Sequence, residues 1–154
     1  MNPSVEDAYY NRGLVKKEQG DWDGAIIDYN KAIELKPDDA TAYDNRGVAK
    51  FYKNDLGGAA ADFNKAIGLD SKDAEAYNNR GNLKRLKGDL DGALADLTKA
   101  VELKPDYALA YKNRGVAKQS KGDLNGAKTD YAKALELKPN FTAAQKALDE
   151  LNKK

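Results

Sequence analysis

The amino-acid sequence predicts an all-α chain, an α-α superhelix (solenoid) of four antiparallel helical hairpins followed by one further helix. Three observations predict it. The stretch Tyr77-Asn-Asn-Arg-Gly is written four times, the other copies being Tyr9-Tyr-Asn-Arg-Gly, Tyr43-Asp-Asn-Arg-Gly and Tyr111-Lys-Asn-Arg-Gly. Their glycines, Gly13, Gly47, Gly81 and Gly115, are spaced by 34 residues each time, and a fixed period of roughly 20–50 residues marks stacked repeats. Within each period apolar residues recur at three- and four-residue spacing, the single stripe of an amphipathic helix.

After an N-terminal extension at residues 1–5, the first unit runs from 6 to 39. Tyr9, Gly13, Leu14 and Val15 follow a helical pattern that ends near Gln19-Gly20. Asp21-Trp22-Asp23 then supplies side chains able to cap the free N–H groups of a second helix, which carries Ala25, Ile26, Tyr29, Ala32 and Ile33. Pro37 stops that helix, since proline has no N–H and disfavours helix in the residue before it. The second unit, 40–73, repeats the pattern with Tyr43, Gly47, Ala59, Phe63 and Ala66. It departs from the others at Asn54-Asp55-Leu56-Gly57-Gly58, expected to be a looser turn, and at Ser71, which stands in the place of the proline. Interior glycine costs roughly 1 kcal/mol of helix stability relative to alanine, so this hairpin is expected to be the softest. The third unit, 74–107, has Tyr77, Gly81, Ala93, Leu97, Ala100 and Pro105, and the fourth, 108–141, has Tyr111, Gly115, Ala127, Tyr131, Ala134 and Pro139. Residues 142–154 keep one apolar stripe, Ala144, Ala147, Leu148 and Leu151, among Asp149, Glu150, Lys153 and Lys154. A helix with a polar outer face is what a stack of repeats needs at its end. No matching helix precedes Glu6, so the N-terminal face is expected to be the less protected one.

Composition narrows the function. Lys plus Arg is 26 and Asp plus Glu is 25 over 154 residues, and a net charge of +1 creates no field for nucleic acid or an anionic membrane. No apolar run approaches a membrane span and Met1-Asn-Pro-Ser-Val has no secretory pattern, so a cytoplasmic protein is expected. There is no Cys and no His. The commonest nucleophile, general base and transition-metal ligands are thereby missing, and neither an enzyme nor a bound cofactor is expected. Asp21-Trp-Asp-Gly24 and Asp89-Leu-Asp-Gly92 look like the start of a calcium loop, but the twelfth positions are Ala32 and Ala100 rather than glutamate. They read as turn and capping residues.

These residues resemble the tetratricopeptide repeat family, with the pattern Tyr77, Gly81, Ala93, Leu97, Ala100 and Pro105 recurring in phase through nearly the whole chain. The departures are Arg12, Arg46, Arg80 and Arg114, where the family usually has an aliphatic residue, and Lys16, Lys50, Lys84 and Lys118, where it favours an aromatic one. The resemblance implies that the first helix of each hairpin lines a concave wall that holds a peptide or a partner helix. It also implies that an Asn at the position of Asn11, Asn45, Asn79 and Asn113 contacts bound peptide. The basic clamp by which some relatives take acidic C-termini is incomplete here, with Asn78, Asn82 and Asn113 in its places.

Side chains outside the core pattern carry the rest of the reading. Each arginine is followed sixteen residues later by an aspartate, Asp28, Asp62, Asp96 or Asp130. That offset suits an Arg–Asp pair inside each hairpin better than a row of arginines gripping an acidic ligand, and Arg80→Leu is expected to be near neutral. The four asparagines gain nothing from packing. They suit a polar ladder between neighbouring first helices and, as donors and acceptors at once, hydrogen bonds to a peptide backbone. On the same helical faces lie Tyr10, Leu14 and Lys17, then Asp44, Val48, Phe51 and Tyr52, then Asn78, Asn82, Arg85 and Leu86, and finally Lys112, Val116 and Gln119. The candidate site is therefore Asn11, Asn45, Asn79, Asn113, Phe51, Tyr52, Asn78, Asn82, Arg85 and Lys112. Phe51, Tyr52 and Arg85 are its expected anchors, because aromatic and Arg residues dominate binding hot spots. The expected function is a protein-interaction scaffold. The alternative is a homo-oligomer formed through the N-terminal face, where Tyr9, Tyr10 and Trp22 lie, and the close likeness of the units also suits a designed chain or a piece of a longer one.

Overall fold

A computed structural model describes residues 5–153, so the expected extension at 1–5, apart from Val5, and the terminal Lys154 lie outside the described residues. The described residues form nine helices and no strand. They group into two units, residues 1–76 and 77–154.

In the first unit, α1 (Val5–Glu18) pairs with α2 (Trp22–Leu35) and α3 (Ala40–Tyr52) with α4 (Leu56–Leu69), while α2 also packs on α3. Three aspartates start these helices. Asp21 and Asp55 accept from the backbone N–H of Gly24 and Gly58 at 2.9 and 2.8 Å, and Asp39 accepts from Thr41 and Ala42. Each caps donors that a helix's first turn leaves free. Gly58 thus belongs to a cap: a Cβ there would collide with the Asp55 carboxylate.

The segment expected to be a looser turn has the same geometry as its counterparts. Asn54 takes φ 63°, as Gly20 takes 77°, and in both turns the next residue's N–H bonds back to a lysine carbonyl at 2.9 Å. Asparagine is the side chain that tolerates this left-handed conformation best after glycine. Nor does Ser71 let α4 run on. The Asp70 N–H bonds the Ala66 carbonyl at 2.8 Å, as Lys36 bonds Ala32, and the Asp70 carboxylate then takes the Lys72 N–H. A side-chain turn does there what Pro37 does in the preceding hairpin.

The second unit holds α5 (Ala74–Leu86, its first three residues in the first unit), α6 (Leu90–Leu103), α7 (Ala108–Ser120), α8 (Leu124–Leu137) and α9 (Thr142–Asn152). Asp89 and Asp123 cap α6 and α8 through Gly92 and Gly126, so the Asp-x-Asp-Gly segment at Asp89 is a helix start, as is the one at Asp21. On α9, Leu151 is buried with Ala127 and Tyr131 of α8, and Leu148 packs against the same cluster.

One contact recurs in all four hairpins. A Cβ placed on Gly13, Gly47 or Gly115 would lie 2.6–2.7 Å from the ring of Tyr29, Phe63 or Tyr131, and one on Gly81 would lie 2.8 Å from Leu97 Cγ. Those four large side chains are buried to within 1% of completeness, beside fully buried Ala25, Ala59, Ala93 and Ala127. Only glycine lets the first helix approach the second so closely.

Two glycine variants separate this packing from backbone conformation. Gly81→Ala is expected to cost about 1–3 kcal/mol by overpacking, since the Ala93 carbonyl oxygen also stands 3.2 Å from the new Cβ. Gly88→Ala has φ 84° and open space around it, and is expected to cost about 1–2 kcal/mol through the left-handed conformation alone. Urea unfolding measures both, and a neutral Gly81→Ala would contradict the close approach.

Candidate functional site

Each Arg-Gly step that allows the helices to touch also places a cation beside the contact. Arg12, Arg46, Arg80 and Arg114 each fork onto the aspartate sixteen residues on, Nε and Nη2 reaching the two carboxylate oxygens at 2.5–2.9 Å. The tyrosine three residues earlier lies under the guanidinium, 5.2–5.5 Å from its ring centre. The lysines at 16, 50, 84 and 118 complete the group, each bonding the same carboxylate at 2.8–2.9 Å. The four aspartates are buried, which explains why the chain carries two cations per carboxylate where the family pattern has apolar residues. A charge taken out of water needs full compensation. Hydrogen bonding by Arg12, followed by Lys16, holds the Asp28 carboxyl below its ordinary range against the opposing effect of burial. These arginines are occupied, and the expected pairing within each hairpin is what the geometry shows.

The four asparagines differ in surroundings. Asn11 is exposed on α1 and Asn79 is partly buried on α5. Asn45 is nearly buried: its Nδ2 donates to Tyr10 Oη at 3.1 Å and to the Thr41 carbonyl, while its Oδ1 accepts from Lys17 Nζ at 2.6 Å. In the second unit Asn113 Nδ2 donates to Asn78 Oδ1 at 2.8 Å. Asn78 is 2% exposed and also reaches Asn79 and Tyr107. In each unit an amide of one first helix thus bonds the side chain that stands one turn-face away on the preceding first helix. The polar ladder exists within both units.

The aromatic pair lies in the first unit. Tyr52 is 61% exposed, stacks on Trp22 with ring centres 4.4 Å apart and 7° between planes, and meets Phe51 edge-on at 5.7 Å. Trp22 begins α2 and was read from the sequence as part of a cap and of the N-terminal face; its stack on Tyr52 spans thirty residues, as the neighbouring Lys53–Asp23 bond does. In the second unit Arg85 Nη2 donates to Asn82 Oδ1 at 2.9 Å, and Lys112 Nζ to Asn113 Oδ1 at 3.3 Å. Burial first, and Arg85 second, hold Lys112 below the usual lysine range. Gln119 takes the hydroxyl of Tyr131 at 2.7 Å, and burial pushes that phenol up to about 12.

Comparison with known proteins now decides the family. A TPR repeat model matches residues 13–51 and 81–122, and tetratricopeptide repeat models match 40–73 and 108–141. The chain belongs to the tetratricopeptide repeat family. Solved structures agree with this all-α helical-repeat class, the solenoid of stacked hairpins. A Pseudomonas aeruginosa pilF structure superposes with TM-score 0.88 at 25% identity, over 95% of this chain and 67% of that one. A MamA crystal structure gives 0.79 at 25% identity, over 99% and 85%. The first tetratricopeptide domain of Spaghetti (RPAP3), solved with the HSP90 peptide SRMEEVD, gives 0.72 at 27% identity, over 74% and 90%. Comparison with curated protein sequences found no match. Among the described residues of this tetratricopeptide chain, no helix is long and apolar enough to cross a membrane.

Burial of the aspartates revises the expectation for the arginines. With Asp96 only 5% exposed, Arg80→Leu is expected to cost about 1.5–3 kcal/mol, the worth of hydrogen bonds to a charged group, rather than to be neutral. Asp96→Ala leaves Arg80 and Lys84 facing each other and is expected to cost about 3–5 kcal/mol. Urea melts of both variants test the order, and an Arg80→Leu protein as stable as its parent would show that Lys84 alone suffices.

Proposed function

We propose that the chain is a protein-interaction scaffold that takes an extended peptide, or one helix of a partner, against the first helices of its hairpins: α1 and α3 in one unit, α5 and α7 in the other. The carrying observation is the amide ladder with its flanking side chains. Asn45 with Lys17 and with Tyr10, which also packs against the cluster of Ala25, Tyr29 and Ala49, and Asn113 with Asn78 fix polar groups along the first helices. Asn113 keeps one Nδ2 hydrogen outside these bonds, and a ladder that locks its orientation preorganises that donor for a peptide backbone. Asn11, Asn79, Asn82, Phe51, Tyr52, Arg85 and Lys112 extend the surface, with the stacked Tyr52 as a rigid aromatic anchor. The relative bound to SRMEEVD supports a peptide as the kind of ligand. Binding, rather than catalysis, is the activity that this set of amides, aromatics and cations suits.

Selection of displayed random peptides on the whole chain tests this reading. Selected peptides are expected to lose about tenfold or more in affinity on Tyr52→Ala or Asn113→Ala, as a hot-spot side chain or a hydrogen bond in a desolvated site does. Lys31→Ala, on α2, should leave affinity unchanged. Peptides whose NMR footprint falls on α2 or α4 alone would sink the proposal.

One observation favours self-association as a second reading. The Arg12 side chain is 58% exposed, against 16–19% for Arg46, Arg80 and Arg114. Arg46 Nη1 additionally bonds Asn30 Oδ1 of the preceding hairpin at 2.7 Å, a cover that α1 does not receive among the described residues. Beside Arg12 lies a hollow of about 340 Å³ lined by Tyr9, Ile27, Asn30 and Glu34. A second copy seated there would make the apparent mass rise with concentration in light scattering, and Arg12→Glu would abolish the rise; a constant monomer mass excludes it.

A further inference from the structure

α1 carries the residues of a buried face and leaves them uncovered. Ala8, Asn11, Arg12 and Val15 stand at i, i+3, i+4 and i+7, on one side of the helix. At the same register of the repeat α3 has Ala42, Asn45, Arg46 and Ala49, and in the second unit α7 has Ala110, Asn113, Arg114 and Ala117. The alanines at 42, 49, 110 and 117 are fully buried, and Asn45 and Asn113 nearly so. Within each unit the second helix of the preceding hairpin provides the cover. Ala49 clusters with Ala25 and Tyr29 of α2, Ala117 with Ala93 and Leu97 of α6, and Ala110 with Ala100 and Val101 of α6. On α1 all four positions are exposed, Val15 by 51%. One exposed apolar residue is ordinary on a protein surface; a whole buried-face pattern at its own register is not. Cover also decides the arginine. Arg46 Nη1 donates to Asn30 Oδ1 of α2 at 2.7 Å, whereas Arg12 bonds Asp28 through Nε and Nη2 and its Nη1 has no acceptor among the described residues.

This face is complementary to itself. An antiparallel crossing of α1 on α1 of a second copy, with a two-fold axis between positions 11 and 12, sets Ala8 opposite Val15 of the second copy and Asn11 opposite its Arg12. Small then meets large on both sides of the axis, which suits helix packing at about 8–10 Å between axes. Beside the axis the free Arg12 Nη1 meets an amide oxygen, the bond that Arg46 makes with Asn30 inside the chain. Asp28 already neutralises Arg12, so the two arginines can stand near each other. A foreign helix would have to bring the large residue, the small one and the acceptor; a second copy brings all three. We propose that two copies of the chain pair through this face of α1 as an isologous, antiparallel dimer. The proposal rests on the self-association reading and deepens it, placing the contact on Ala8, Asn11, Arg12 and Val15 rather than in the hollow at Ile27. In the dimer Asn11 faces the second copy, so a peptide reaches it only on the monomer.

The test uses the full chain, whose lack of Cys lets single cysteines report the register. Sedimentation equilibrium over a concentration series is expected to show the mass rising to that of a dimer and levelling there. Val15→Glu is expected to weaken the dimer about tenfold or more, as a charge buried without a partner does, and Ile27→Glu to leave it unchanged. Both residues are exposed in the chain, so circular dichroism should find both variants helical. Under mild oxidation, a mixture of Ala8→Cys and Val15→Cys chains is expected to form the mixed disulfide beyond its statistical share. Preference for the two symmetric disulfides would overturn the antiparallel register. A mass that climbs past the dimer without levelling would overturn the two-fold arrangement. Association that yields to Ile27→Glu but not to Val15→Glu would overturn this inference and leave self-association standing. A constant monomer mass would overturn both, and leave the peptide scaffold untouched.

Discussion

The approach of a glycine on the first helix to a large buried side chain on the second is the contact on which each hairpin depends. Gly13 against Tyr29, Gly47 against Phe63, Gly81 against Leu97 and Gly115 against Tyr131 leave no space for a methyl group. This closeness decides where neighbouring residues go. The residue before the glycine and the residue before the large side chain meet beside the contact, and there the chain writes Arg and Asp. An aspartate driven into the helix interface by its neighbour's packing must be neutralised, and the bidentate arginine and the lysine one turn later do so. Packing therefore comes first and the charge cluster follows from it.

The same sorting determines which polar groups remain for a partner. Arginines stacked on tyrosine and forked onto aspartate are structural, however ligand-like a row of four arginines looks on paper. The amides on the other face of the first helices are held by one another, by Tyr10 and by lysine, with capacity left over. Desolvation is expensive enough that the chain pairs nearly every charge it buries.

Turn chemistry shows the same economy of means with different residues. Asn54 replaces glycine in the left-handed position and Asp70 with Ser71 replaces the proline stop, yet the helices begin and end alike. Backbone conformation, not residue identity, is what repeats every 34 residues. Reading the unusual residues of the second hairpin as a looser turn mistook a substitution of side chain for a change of geometry.

By itself the sequence determined the period, the helical hairpins, the caps at Asp21 and Asp89, the glycine approach and the Arg–Asp pairs. All of these are set within one repeat, where sixteen residues across a two-helix hairpin fix who faces whom. Tertiary structure alone decided the third arm of each charge cluster, the stack of Trp22 on Tyr52, and the partners of Asn45 and Asn113. Except for the lysine arm, these join residues 28 to 35 positions apart on successive hairpins. Their meeting depends on how one hairpin is rotated against the next. A small change in that rotation is enough to break such a bond, whose strength falls steeply with distance and angle, and no spacing along the chain records it.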